Sequence, residues 1–193
     1  MQQKRLEKIT SVVSKRRNDI TVVLEDIHDP HNAAAILRTC DGLGIQNVYF
    51  IFEKEKAFNP KRVGKASSSS ANKWLDFKIF NSTLSCFKTL KHEGYTIIAT
   101  ALTPTAEGLD NASFTEEKIA LLVGTEHAGL SETAVSMADR IIMIPMVGFV
   151  QSYNVSVSAA ITLWDIVSKR KEIPLTTKEH TLLLKSFIER ATK

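Results

Sequence analysis

ITVVLEDIHDPHNAAAILRTCDGLG, residues 20–44, is the stretch on which the fold turns. Ile20 to Leu24 is rich in β-branched residues, too short for a helix and bounded by polar residues, which predicts a buried strand. Asp29, Pro30, His31 and Asn32 then form a turn, with Asn32 placed to cap a helix that begins at Ala33 and stops at Gly42 and Gly44. Working outward, further strands are expected at Asn47 to Phe52, Phe77 to Phe80, Tyr95 to Thr100, Ile119 to Val123 and Ile141 to Ile144. Helices are expected over Thr83 to Glu93, from near Ser131, and over Val155 to Lys169. Strands that alternate with helices in this way predict a three-layer α/β/α domain around a mostly parallel sheet. An amphipathic helix flanks it at each end, over 2–17 and 178–192, so one domain accounts for residues 1–193.

At 193 residues, with 44% hydrophobic and 24% charged content, the chain can bury one substantial core. Its longest apolar runs fall well short of the roughly 18 to 20 residues of a membrane span, and MQQKRLEKIT lacks the apolar centre of a secretory signal. A soluble, cytoplasmic protein is expected. Cys40 and Cys86 stand outside any CxxC pair and make no disulfide framework. The net charge of +4 is concentrated: Lys4, Arg5, Lys8, Lys15, Arg16 and Arg17 crowd the first segment, Lys54, Lys56, Lys61, Arg62 and Lys65 the second quarter, and Lys169 to Lys171 a late helix end. Three basic patches suit a polyanionic partner, although a basic first helix is equally a solvated face.

Ligands of open α/β sheets bind beyond the carboxyl ends of the strands. The first strand here runs into EDIHDPHN, which has no glycine, so a dinucleotide fingerprint is excluded, and no Walker motif is present. Three later strand ends carry glycine and small hydroxyl residues instead: TALTPT, GTEHAGLS and PMVGFVQSYNVS. Each alone reads as turn chemistry; together they suit a pocket in which main chain grips an adenosine-like ligand. The long segment FNPKRVGKASSSSANKW, residues 58–74, has no apolar periodicity and reads as a functional loop. His28, Asp29 and His31 straddle a proline without further partners, and no metal site is expected there.

HNAAAILRTCDGLG, LLVGTEHAGLS and IPMVGFVQSYNVSVSAA resemble, in order, the three motifs of the TrmH family of SPOUT methyltransferases, with the nearest likeness to its tRNA guanosine-18 2′-O-methyltransferases. The likeness covers roughly residues 1–170. It implies a SPOUT fold with a deep C-terminal trefoil knot, which periodicity would never propose. It also implies a homodimer and the cofactor S-adenosyl-L-methionine. By the same resemblance Arg38 is the catalytic arginine, with Asn32, Glu126, Ser152 and Asn154 completing the catalytic set. The cofactor is expected against Thr100, Ala101 and Leu102, Gly124, and Ile144, Pro145 and Met146, with Ser152, Tyr153 and Val155 closing the adenine side. Tyr153 departs from the leucine usual in the family.

A guanidinium stays protonated in proteins, so Arg38 is better suited to hold an RNA phosphate and stabilise a developing alkoxide than to act as a base. RNA contacts are expected from Lys4, Arg5, Lys8, Arg16 and Arg17, from Lys61, Arg62, Lys65 and Ser67, and from Lys185 and Arg190. Transfer RNA is the favoured substrate, ribosomal RNA the alternative, and a noncatalytic knotted RNA-binding dimer the reading from a different class.

Overall fold

The computed structural model describes residues 2–63, 71–125, 128–171 and 173–192. The expected alternation is present: α1 (Gln3–Val13), β1 (Arg17–Glu25), α2 (Pro30–Gly42), β2 (Ile45–Ile51), β3 (Asp76–Phe80), α3 (Thr83–His92), β4 (Thr96–Thr100), β5 (Glu107–Gly108), β6 (Ile119–Val123), α4 (Glu132–Met137), β7 (Arg140–Met143), α5 (Val155–Lys169) and α6 (Thr177–Thr192). The seven strands form one sheet in the order β3-β2-β1-β6-β4-β7-β5, and every pairing in it is parallel. Central β1 and β6 are apolar on both faces because helices cover both. On one face Ile20, Val22 and Leu24 pack with α2 and α5 through Ile36, Leu37, Ala159 and Leu163. On the other, Val23, Ala120 and Leu122 pack with α3 and α4 through Phe87, Leu90 and Ala134. No helix is long and apolar enough to cross a membrane among the described residues.

The flanking helices form a third cluster, in which Ile9 and Val13 of α1 meet Phe187 and Ala191 of α6, with Trp74 beside them. Here two sequence expectations are corrected. α1 ends at Val13 rather than Arg17, and Arg16 and Arg17 are 2% and 6% exposed, so neither guanidinium is available to RNA. Arg16 is ion-paired to Asp41, donates to the Ile45 carbonyl and lies over the Phe187 ring. Arg17 forms a fork on Asp19, at 2.8 and 2.7 Å, and Arg170 approaches the same carboxylate from α5 at 3.0 Å. A second correction concerns α2. Its N-cap is Asp29, whose carboxylate accepts from the His31 N–H at 2.8 Å, and Pro30 takes the first helical position, which moves Asn32 inside the helix.

The late basic patch is likewise structural. Lys169 donates to the carbonyls of Leu109 and Ala112, and Arg170 to those of Phe114, Glu116 and Glu117, so the end of α5 is clasped by the segment leading into β6. Removing the shared carboxylate should leave two buried guanidinium groups without their counter-charge. Asp19→Ala is expected to destabilise the fold by about 3–5 kcal/mol in urea unfolding followed by circular dichroism.

Candidate functional site

The carboxyl ends of β1, β6, β4 and β7 lie side by side, so the segments that follow them share one edge of the sheet. Buried Glu25, the last residue of β1, organises this edge: it accepts from the Ser131 N–H and hydroxyl at 2.8 Å each and from the Thr83 hydroxyl at 2.8 Å. Ser131 in turn caps α4, accepting from the Ala134 N–H. Asp26 follows in the left-handed region, φ 48°, which aspartate tolerates better than most residues. Its Oδ1 accepts the N–H groups of Glu53, Lys54 and Glu55 at 2.8, 3.0 and 3.1 Å, fixing the turn after β2 to the end of β1.

A cleft of about 470 Å³ opens where β4, β6 and β7 end. Its walls come from residues 100–103, 123–125, 128–130 and 142–144, with Met146, 151–153 and Val155. Of the expected cofactor positions, Thr100, Ala101, Leu102, Gly124, Ile144, Met146, Ser152, Tyr153 and Val155 all line it. Pro145 does not; it lies off the cleft near Gly108. Among the described residues no charged side chain lines the cleft, as a largely neutral adenosine-sized ligand requires. Gly124 is needed for a close backbone approach: a Cβ there would lie 2.3 Å from the Gly129 carbonyl group. That contact closes a small loop in which Thr125 and Gly129 exchange N–H to carbonyl bonds at 2.9 and 3.2 Å. Gly129 itself has φ 66°, and the sequence reading passed over it although it stands in GTEHAGLS.

Asn154 caps α5, its Oδ1 accepting from the Ser156 N–H at 2.8 Å, while its Nδ2 donates to Asn32 Oδ1 at 3.2 Å. Two residues 122 positions apart thus meet at the rim. Asn32 also lines a second, larger cavity of about 820 Å³, which shares Thr125, residues 128–130 and Val155 with the cleft. On its outer wall His28 bonds Glu55 at 2.9 Å, and this carboxylate raises the imidazole pKa above its ordinary value.

Arg38 is exposed on α2 and lines neither cavity, lying about 9 Å along the helix axis from Asn32. No hydrogen bond or ion pair joins it to another described residue. Glu126, Lys65 and Ser67 lie outside the described residues. Lys4, Arg5, Lys8, Lys61, Arg62 and Lys185 are exposed, whereas Arg190 is engaged by Asp76 and the carbonyls of Lys73 and Leu75. No group of three or more His, Cys, Asp or Glu able to hold a metal occurs among the described residues.

With this geometry in view, the chain was compared with known proteins. Residues 19–164 match the profile of the SpoU rRNA methylase family. The tRNA (guanosine(18)-2′-O)-methyltransferase of Thermus thermophilus is 38% identical over 86% of this chain and 83% of the relative. Its counterpart from Escherichia coli is 31% identical over 93% and 76%. The crystal structure of the A. aeolicus TrmH/SpoU tRNA modifying enzyme superposes with a TM-score of 0.84 at 29% identity, covering 97% of both chains.

The Gly124 contact leads to a direct expectation. Gly124→Ala should force the Gly129 and Leu130 backbone away and destabilise the fold by about 1–3 kcal/mol in urea unfolding, since even one methyl group has no room against backbone.

Proposed function

Since this chain belongs to the SpoU rRNA methylase family, we propose that it is an S-adenosyl-L-methionine-dependent RNA 2′-O-methyltransferase that modifies guanosine 18 of tRNA. The observation that carries this reading is an uncharged cleft that adjoins, through Thr125, residues 128–130 and Val155, a second cavity lined by Asn32, to which Asn154 donates. The described residues fit the donor: the cleft has adequate volume, uncharged walls and Tyr153 among its lining to cover a flat base. Thr100, Ala101, Leu102, Gly124, Ile144, Met146, Ser152, Tyr153 and Val155 would hold it. When bound, the donor supplies a methyl group already activated on a sulfonium, so transfer needs positioning more than acid or base strength.

The protein's own contribution is to hold a ribose hydroxyl at the rim. Asn32 and Asn154 offer amide groups there, fixed by the α2 and α5 caps on either side. Arg38 is a permanent cation able to clamp an adjacent phosphate in a bidentate fork and stabilise charge developing on the attacking oxygen. Its distance from both cavities within one chain supports a site completed across a homodimer. The apolar stripe Val157, Ile161 and Trp164 on α5, 44%, 37% and 66% exposed, is the surface such a dimer would cover, together with Phe149. The knot belongs to the same reading: the chain after β7 would thread past the segment before β6, and the hydrogen bonds from Lys169 and Arg170 to carbonyls of that segment support it. Lys4, Arg5, Lys8, Lys61 and Arg62 would neutralise tRNA phosphates, Lys65 and Ser67, outside the described residues, would add to them, and the enzyme would work in the cytoplasm.

Labelled methyl transfer onto unmodified bulk tRNA and rRNA tests the reading, with the modified ribose mapped to position 18. Label confined to rRNA would overturn the tRNA assignment, and donor binding without transfer to either pool would favour a noncatalytic RNA-binding dimer. Arg38→Lys should keep the charge but lose the planar fork, slowing single-turnover methylation by about 100-fold or more; near-normal turnover would exclude the clamp role. Trp164→Glu should convert dimer to monomer in sedimentation velocity at micromolar concentration, because a charge would be buried in the seam.

A further inference from the structure

The 820 Å³ cavity beside the cleft shares Thr125, residues 128–130 and Val155 with it, but its remaining described walls carry charged side chains where the cleft's described walls carry none. Resting on the reading above, a ribose hydroxyl presented at Asn32 and Asn154 puts its base one glycosidic bond away, and this cavity is the adjoining space with room for a purine. Among the described residues, its lining holds the carboxylates of Glu25, Asp26, Asp29, Glu53, Glu55 and Glu132 against Lys54 and His28. A phosphodiester backbone would be repelled by that wall. The portion of the RNA that enters must therefore be uncharged and rich in N–H donors, which describes the edge of a base.

Four of these carboxylates are occupied by the fold. Glu25 serves Ser131 and Thr83, Asp26 the turn after β2, and Asp29 the α2 cap, while Glu53 accepts from the Thr83 N–H at 2.8 Å. Glu55 is engaged only by the exposed His28, and Glu132 makes no hydrogen bond or ion pair with a described residue. We propose that this cavity is a base pocket that selects guanine, with Glu55 and Glu132 as the specificity-determining residues that accept from its N1–H and N2–H groups. Guanine N1 carries a hydrogen and donates; adenine N1 carries a lone pair and would face a carboxylate in repulsion. An acceptor that a bound base covers and leaves facing another acceptor is the kind of mismatch that discriminates between otherwise similar ligands. Asp26 acts as a positioning residue, because its three N–H bonds hold the turn that bears Glu55.

The test compares tRNA transcripts carrying G or A at position 18 with the wild type, Glu55→Gln, Glu132→Gln and the double variant. Methyl transfer rates and equilibrium binding are both read, so that a slow variant still reports its preference. Wild type should prefer G by about 100-fold or more. A glutamine amide can rotate to donate to adenine N1, so the double variant's preference should fall at least about tenfold, losing on G and gaining on A, while calorimetric affinity for S-adenosyl-L-methionine stays within about twofold. A double variant that keeps the wild-type preference overturns the base pocket and leaves the methyltransferase reading intact. A wild type that binds the donor yet methylates no RNA overturns that reading, and the pocket with it.

Discussion

Strand β6 hydrogen-bonds to β1 on one side and to β4 on the other, with Ile20 opposite Ile119 and Thr96 opposite the same residue. That register is the constraint from which the functional edge follows. β6 is IALLV, buried at every position, and a strand this apolar can sit only in the middle of the sheet with helices above and below. Once it does, the ends of β4, β6 and β7, at Thr100, Val123 and Met143, come to lie along one edge of the sheet. Gly124, Thr125 and residues 128–130 then share a cleft with residues 100–103 and with the exit of β7.

Polar groups at this edge are held by each other rather than by solvent. Glu25 would be costly to bury alone, but it accepts three hydrogen bonds that tie β1 to the starts of α3 and α4. Asn154 both caps α5 and reaches Asn32 on α2, so the two helices that cover one face are also joined where a substrate would enter. The opposite end of the strands is secured by the Arg17, Asp19 and Arg170 cluster and by the carbonyl clasp on α5. Both ends of the strands are therefore secured by polar groups that satisfy one another.

Much of this was legible from local patterns. ITVVL, IALLV and IIMI are short, β-branched and bounded by polar residues, and each is a strand within a few residues of the expected limits. α5 matches its expected bounds because its apolar spacing and the Asn154 cap agree. What escaped depended on partners distant in sequence. Arg16 and Arg17 look like a solvated basic end until Asp41, Asp19, Arg170 and Phe187 are brought to them by the sheet and α6. The cap of α2 was misplaced although Asp29-Pro30 carried the signal, since proline at the first helical position leaves its predecessor as the cap. β5, only two residues long, has no periodicity to detect. Nine of the ten expected cofactor positions face one cleft, a convergence that rested on motif likeness and that no spacing rule would have supplied; their contact with a donor is a proposal.

Hydrogen–deuterium exchange with and without S-adenosyl-L-methionine measures the central claim, that strand-end segments distant in sequence grip one donor together. The account predicts simultaneous protection of residues 100–103, 123–130, 142–146 and 151–155, with little change in α1, α6 or β3. Protection in only one of these segments, or centred on another surface, would contradict it.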